Sequence, residues 1–312
     1  MDRANIVHVQ FELPTFKIFG SLLLPLCLLL LKFVGIKCVV TIHGPVLPPG
    51  KKAQRIIKQL LPENYKWVPA NVVKLGLQFL YFFIERAGAR IIVHSHIFKE
   101  WLLSQGLTNV SVIYHGVNPP KIHNIPLETR RSLIICFGTI SPRRGIEKFI
   151  MAVSEIRDYL VSRKFNVIIA GHLPCYYIEY ARSLRNRINE MGLNELVGME
   201  YNVNEERLEY LFNNAYLAVL PYEFSESASG VLPMAFEYGV PVLVADTEYF
   251  REVLGSEFAG MFKTGNHKSL ADKLFTILSD EKIRERILEQ MVSKLSPYGW
   301  DIIASETIKL YM

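Results

Sequence analysis

Short, unbroken apolar runs recur along this chain from end to end, and stretches of helical period separate them. The runs are Ile6–Val9, Cys38–Ile42, Ile91–Val93, Val110–Ile113, Leu133–Phe137, Val167–Ala170, Leu217–Leu220 and Val242–Val244. Continuous apolar runs, unlike alternating ones, indicate strands covered on both faces. The intervening helical patterns include Gly145–Leu160, Ile178–Met191, Glu205–Asn213 and Ser269–Leu278. Strands that alternate with helices build βαβ units, so the expected class is α/β with doubly wound parallel sheets. Half of the residues are hydrophobic and 21% are charged, enough apolar material for the buried cores that such sheets need.

The pattern breaks once. Asn118 to Pro126 contains three prolines and no periodicity, which predicts a linker between two domains. The expected division is residues 1–118, a linker over 119–131, a second domain over 132–297, and a C-terminal helix over 298–312 able to return to the first domain. A net charge of +5 suits anionic small molecules or loose attraction to an anionic membrane surface. Nucleic acid is not expected as a partner, because no dense basic stripe with interleaved aromatics is present. The four cysteines are scattered and form no C-x-x-C pair, which predicts a reducing cytoplasm and no disulfide framework. Ile18 to Leu31 carries no charge, but 14 residues containing Pro25 fall short of the ~20 that a spanning helix needs. It reads as a buried or membrane-surface helix.

In open α/β sheets, ligands bind beyond the carboxyl ends of the strands. The residues there are Ile42-His43-Gly44, Tyr114-His115-Gly116, Phe137-Gly138-Thr139, Ala170-Gly171-His172 and Leu220-Pro221-Tyr222-Glu223. In the segment Tyr222 to Val231, a small-residue loop around Ser229, Gly230 and Val231 opens a helix. Its backbone N–H groups and helix dipole form a cradle suited to a diphosphate without a metal. Glu226 precedes it and can accept bonds from sugar hydroxyls. A polar turn with a serine cap is the plainer reading of the same residues. In Phe137 to Ile146, Gly138 lets a ligand approach the backbone, and Arg143 and Arg144 can neutralise a diphosphate. A solvated basic turn is the plainer reading there.

Taken together and in order, these loops resemble the retaining GT-B glycosyltransferases of family four. The matching pieces are Phe137-Gly138, Arg144-Gly145, Ala170-Gly171, Leu220-Pro221-Tyr222 and Gly239-Val240-Pro241-Val242. Upstream lie Val112 to Asn118, and Val40-Thr41-Ile42-His43. The resemblance implies two Rossmann-like domains, the first binding an acceptor and the second a nucleotide-sugar donor. It implies transfer of a hexosyl unit with retention, no cofactor and no metal. The catalytic residues it implies are His43 and Glu226. The diphosphate would be held by Gly138, Arg143, Arg144, Ser229, Gly230 and Val231, and the nucleoside or sugar by Gly171, Tyr201 and Glu237. The acceptor would be a glycan or a lipid-linked intermediate, handled in the cytoplasm or on the inner face of the membrane.

Three departures stand out. Counted back from Gly239, the second glutamate of the family pair falls on Met234, with Glu237 one helical turn on as a possible substitute. The arginine after the first glycine becomes Thr139. The segment Asn5 to Gln10, which in the family follows a glycine-rich turn and further βα units, begins here at residue 5. The expectation is therefore an incomplete first domain: either a second polypeptide or a membrane surface covers its sheet edge and Leu22–Leu31, or the true start of the chain lies upstream, the alternative favoured here. The rival to an enzyme is a non-catalytic subunit that binds nucleotide sugars. Two other features are weak: His94 and His96 lack acidic or thiol partners for a metal, and Gly44 to Lys52 has the wrong spacing for a P-loop.

Overall fold

The computed structural model describes residues 5–61, 65–121 and 132–312, so most of the expected linker lies outside the described residues. The chain divides into two compact units. The first comprises Met1–Gly116, Glu226–Ala228 and Trp300–Met312; the second comprises Val117–Ser225 and Ser229–Gly299.

In the first unit the elements are β1 (Ile6–Glu12), α1 (Leu13–Phe33), β2 (Lys37–Gly44), α2 (Lys51–Leu60), α3 (Ala70–Arg86), β3 (Arg90–Val93), α4 (His96–Leu103) and β4 (Val110–Val112). The strands form a parallel sheet in the order β1-β2-β3-β4. Every crossover runs in the same direction, and right-handed connections then stack the helices on one face of the sheet. Ser95 caps α4 by accepting the Phe98 N–H at 3.1 Å. The apolar stretch at Ile18–Leu31 lies within α1, which is 21 residues long. Among the described residues no helix is long and apolar enough to cross a membrane.

The second unit contains β5 (Leu133–Phe137), α5 (Ile146–Glu155), α6 (Arg157–Ser162), β6 (Asn166–Gly171), α7 (Ile178–Glu190), β7 (Val197–Tyr201), α8 (Glu205–Asn214), β8 (Ala215–Leu220) and α9 (Val231–Glu237). It continues with β9 (Val242–Ala245), α10 (Glu248–Leu254), β10 (Met261–Phe262), α11 (His267–Ser279) and α12 (Glu281–Leu295). The C-terminal helix α13 (Trp300–Tyr311) groups with the first unit. The six parallel strands are ordered β10-β9-β8-β5-β6-β7. The α/β class with two parallel sheets is as the sequence pattern predicts.

Two differences in detail have physical causes. The helix expected over Gly145–Leu160 is two helices, because Ile156 leaves helical geometry at φ −115° and ψ 21°. The bend lets Leu160 bury completely. Strands β7 and β10 have no counterpart among the expected runs. Both are edge strands, so one flank has no neighbour and the sequence need not be apolar throughout; β7 contains Gly198 and Glu200.

Candidate functional site

The chain passes from β5 to β6 and β7 on one side of the sheet, then returns to β8 on the other side of β5. Such a reversal opens a crevice at the carboxyl end of the strand where it occurs. A cavity of about 480 Å³ lies there, lined by Phe137, Gly138, Thr139, Arg144, Gly171, His172, Asn202, Val203, Gly230 and Val231.

The glycines are required by close backbone approach. Gly171 sits at φ +141°, and a Cβ added there would lie 1.9 Å from the Gly138 carbonyl oxygen. Across the same junction the Gly138 N–H donates to the Ala170 carbonyl at 3.0 Å and the Ile140 N–H to the His172 carbonyl at 2.8 Å. Gly145, at φ +64°, would place a Cβ 1.9 Å from the Pro221 carbonyl. The Glu223 N–H donates to the Arg143 carbonyl at 2.9 Å. The arginine turn and the loop after β8 are therefore joined backbone to backbone.

Arg144 reaches the cavity with its guanidinium 4.2 Å from the centre of the Tyr222 ring. A guanidinium over an aromatic face is attracted to the ring, which favours this position. The Tyr222 hydroxyl and the Ser229 hydroxyl lie 3.0 Å apart, and Ser229 accepts the Leu232 N–H at 3.3 Å. Ser229 is thus a buried support beneath Gly230, which opens α9.

Of the residues expected to hold a donor, Gly138, Arg144, Gly171, Gly230 and Val231 meet at this cavity, whereas Arg143, Tyr201 and Glu237 do not line it. Tyr201 lies under the Arg185 guanidinium, 4.9 Å from its ring centre. Glu237 accepts from Asn118 Nδ2 and Lys121 Nζ, each at 3.0 Å. Burial opposes ionisation of the Glu237 carboxyl, but the bonds from Asn118 and Lys121 prevail and hold its pKa below the usual range. Its carboxylate is therefore committed to the start of the second unit. Met234, in place of the family's second glutamate, is half-buried on α9.

His172, already placed by the sequence beyond a strand end, lines the cavity, and so does Asn202, which was not anticipated from the sequence. His172 Nδ1 lies 3.1 Å from Asn202 Oδ1, which also accepts the Leu173 N–H at 3.0 Å. Asn202 adopts a left-handed φ of +51°. Its signal was faint, because it follows an edge strand with no apolar run.

In the first unit, His43 is the penultimate residue of β2. Its Nε2 lies 2.7 Å from Gln10 Oε1 and its Nδ1 lies 3.2 Å from His94 Nε2. His94 Nδ1 donates to the Ile113 carbonyl at 2.8 Å, so its Nε2 is left as an acceptor. His8 completes the row, with its two nitrogens 2.7 Å from Thr41 Oγ1 and from the Tyr311 hydroxyl. Burial pushes the His94 pKa down to about 4, with His43 and His115 adding to the shift against the Ile113 bond. Burial also lowers His43, opposed by Glu12 and reinforced by His115. The His94 ring is therefore neutral at pH 7. Glu226 is buried, and its carbonyl accepts the Val46 N–H at 2.8 Å. A Cβ on Gly44, at φ +142°, would meet the Ser227 Cβ at 2.9 Å. Thus the segment after His43 and the segment carrying Glu226 lie against each other within this unit.

The chain is similar to several known proteins. It is 22% identical over 233 residues to a phosphatidyl-myo-inositol mannosyltransferase of Mycobacterium leprae, a match covering 73% of this chain and 59% of that protein. It is 22% identical over 263 residues to the N,N'-diacetylbacillosaminyl-diphospho-undecaprenol alpha-1,3-N-acetylgalactosaminyltransferase of Campylobacter jejuni, a match covering 78% of this chain and 65% of that one. The chain therefore spans roughly 60% of the length of the curated relatives it matches. The crystal structure of Anabaena HepE in complex with UDP and glucose superposes with a TM-score of 0.76 at 14% identity, covering 98% of this chain and 77% of that one. The family model described as glycosyl transferases group 1 matches residues 119–291, which hold every residue lining the cavity. With more than half of its length inside that match, the chain belongs to the glycosyl transferases group 1 family.

Proposed function

We propose that this chain transfers a hexosyl unit from a nucleoside-diphosphate sugar to a hydroxyl on a glycan or lipid-linked acceptor, with retention and without a metal, on the cytoplasmic side. The observation that carries the reading is the cavity at the end of β5, where Arg144 and the backbone of Gly138, Gly230 and Val231 converge. The start of α9 at Gly230 and Val231, together with the Arg144 guanidinium, suits a diphosphate, whose leaving charge they would neutralise as the glycosidic bond breaks. His43 would face the sugar and Glu226 would hold its hydroxyls, as the family resemblance implies. The acceptor class finds support in the relatives, one named for a phosphatidyl-inositol and one for a diphospho-undecaprenol substrate.

A second reading, a donor-binding subunit without turnover, is favoured by Met234 and by the commitment of Glu237 to Lys121. One experiment separates the two. UDP-, GDP- and ADP-sugars are screened for thermal stabilisation, and a ligand at 100 times its dissociation constant should add about 2.7 kcal/mol. The stabilising donor is then incubated with lipid-linked and glycan acceptors, with and without EDTA. EDTA-resistant transfer supports the enzyme, and binding without transfer or hydrolysis supports the subunit. If no nucleotide sugar stabilises the chain, both readings are wrong.

A further inference from the structure

Helix α1 is apolar on two faces. Leu24 and Leu28 are buried toward the sheet, while Phe19, Leu22, Leu26 and Phe33 stand exposed, the last at 79%. Their spacing of three, four and seven residues gathers them into one outward stripe. Helix α3 repeats the arrangement. Leu77, Leu80 and Ile84 face inward, while Val72, Leu75, Phe79 and Phe83 face out. The two helices pack against each other, so the stripes adjoin. A helix on the surface of a water-soluble domain turns charged side chains outward at such positions. A contiguous outward face of leucine and phenylalanine signals a partner.

Charge identifies the partner. Residues 13–90 contain eleven lysines and arginines against Glu63 and Glu85, a net +9, whereas the whole chain is +5. The rest of the molecule is therefore net −4, so the excess of cations lies in the segment that carries the apolar face, with Lys37 and Arg90 bonded instead to carbonyls at the end of the C-terminal helix. Helix α2, packed on α3, buries Ala53, Ile56 and Ile57 and exposes Lys51, Lys52, Arg55 and Lys58. Lys32 and Arg86 are exposed near the ends of α1 and α3. Tyr65 and Trp67, with Lys66 between them, stand exposed just before α3. Aromatic rings that are part apolar and part polar favour the headgroup level of a bilayer, and cations favour its anionic surface. A protein partner matching this face would need a large apolar surface ringed by acid, whereas an anionic bilayer supplies both in any orientation.

We propose that α1 and α3, with the cations of α2, form a surface that docks the chain on an anionic lipid bilayer, the helices lying in the interface rather than spanning it. This concerns a different part of the molecule from the donor cavity and stands or falls separately from the donor reading.

The test is co-sedimentation of the full chain with vesicles of 70% phosphatidylcholine and 30% phosphatidylglycerol, beside vesicles of phosphatidylcholine alone, at about 0.1 M salt. The expected result is strong binding to the anionic vesicles that weakens with salt. K51E/K52E/R55E should lower it by roughly 100-fold or more. F79S/F83S should lower it by roughly tenfold or more, since the rings no longer enter the apolar layer. All five side chains point outward, so unchanged circular dichroism and melting would show both variants folded. No binding to anionic vesicles would overturn the proposal, as would equal binding to both vesicle types. A lipid-free dimer that buries α1 and α3 and does not bind vesicles would assign the face to a second copy instead.

Discussion

Arg144 and Arg143 are adjacent in sequence and equally plausible as diphosphate ligands, but the fold separates their roles. Arg144 lines the cavity with its guanidinium 4.2 Å from the Tyr222 ring centre, whereas the Arg143 carbonyl anchors the Glu223 N–H at 2.9 Å and its side chain is not part of the cavity wall. A charge-assisted hydrogen bond is worth about 1.5–3 kcal/mol. Losing one such bond to a bound diphosphate should therefore weaken it roughly 10- to 150-fold, at ~1.4 kcal/mol per tenfold. Arg144→Ala should show that loss. Arg144→Lys should recover only part of it, because an ammonium presents no planar fork. Arg143→Ala keeps its backbone carbonyl and should cost less than about threefold. The assay is titration calorimetry with the nucleoside diphosphate of whichever donor stabilises the chain, at fixed ionic strength. If Arg143→Ala proves the costlier change, or if Arg144→Ala leaves the dissociation constant unchanged, the diphosphate does not sit in this cavity.

Gly171→Ala forces a Cβ to within 1.9 Å of the Gly138 oxygen at a φ of +141°. Left-handed strain and overpacking each cost on the order of 1–3 kcal/mol, so the midpoint of denaturant unfolding should fall and nucleotide binding should weaken with it; an unaltered midpoint would contradict the geometry. His94, lowered to about 4 by burial, takes up protons in the unfolded chain from about pH 6.5 downward but not in the folded one. Stability should accordingly be lost as pH falls from about 6.5 to 4, by about 2–3 kcal/mol from this residue. His94→Gln should flatten that slope in urea titrations, and a slope equal to that of the native chain would show that His94 is not the group responsible.

How far the sequence disclosed the fold depended on where each strand sits. Leu133–Phe137, Leu217–Leu220 and Val242–Val244 have partners on both sides in the six-stranded sheet, and complete burial demanded the apolar runs that made them visible. The edge strands Val197–Tyr201 and Met261–Phe262 were not visible, because half-exposed backbone tolerates glycine and glutamate. Helix α1 was legible as a helix from its apolar period, yet sequence alone could not show that its leucines divide between a buried face and an exposed one. That division depends on which side meets the sheet. It is set by the handedness of the crossover, a property of the chain in three dimensions.

The candidate site divides along the same line. Glycines at strand ends were readable because their purpose is backbone approach, which depends on position along a strand and not on any particular neighbour; Gly138 and Gly171 meet as that logic requires. Charged side chains were not readable in the same way, since a long side chain beside a loop can turn toward any of several partners. Glu237 illustrates the limit. It lies one helical turn from Met234 and carries the right chemistry for ribose hydroxyls, yet Lys121 and Asn118 hold its carboxylate. Those two residues lie more than a hundred positions upstream and precede the strand that opens the second unit. Only folding brings them to α9, so no spacing along the chain could have revealed the competition. A ribose bound at Glu237 would have to break an ion pair and a hydrogen bond that the folded chain already makes. Donor affinity should accordingly rest on the diphosphate, with the nucleoside contributing least where the family's second glutamate has become Met234.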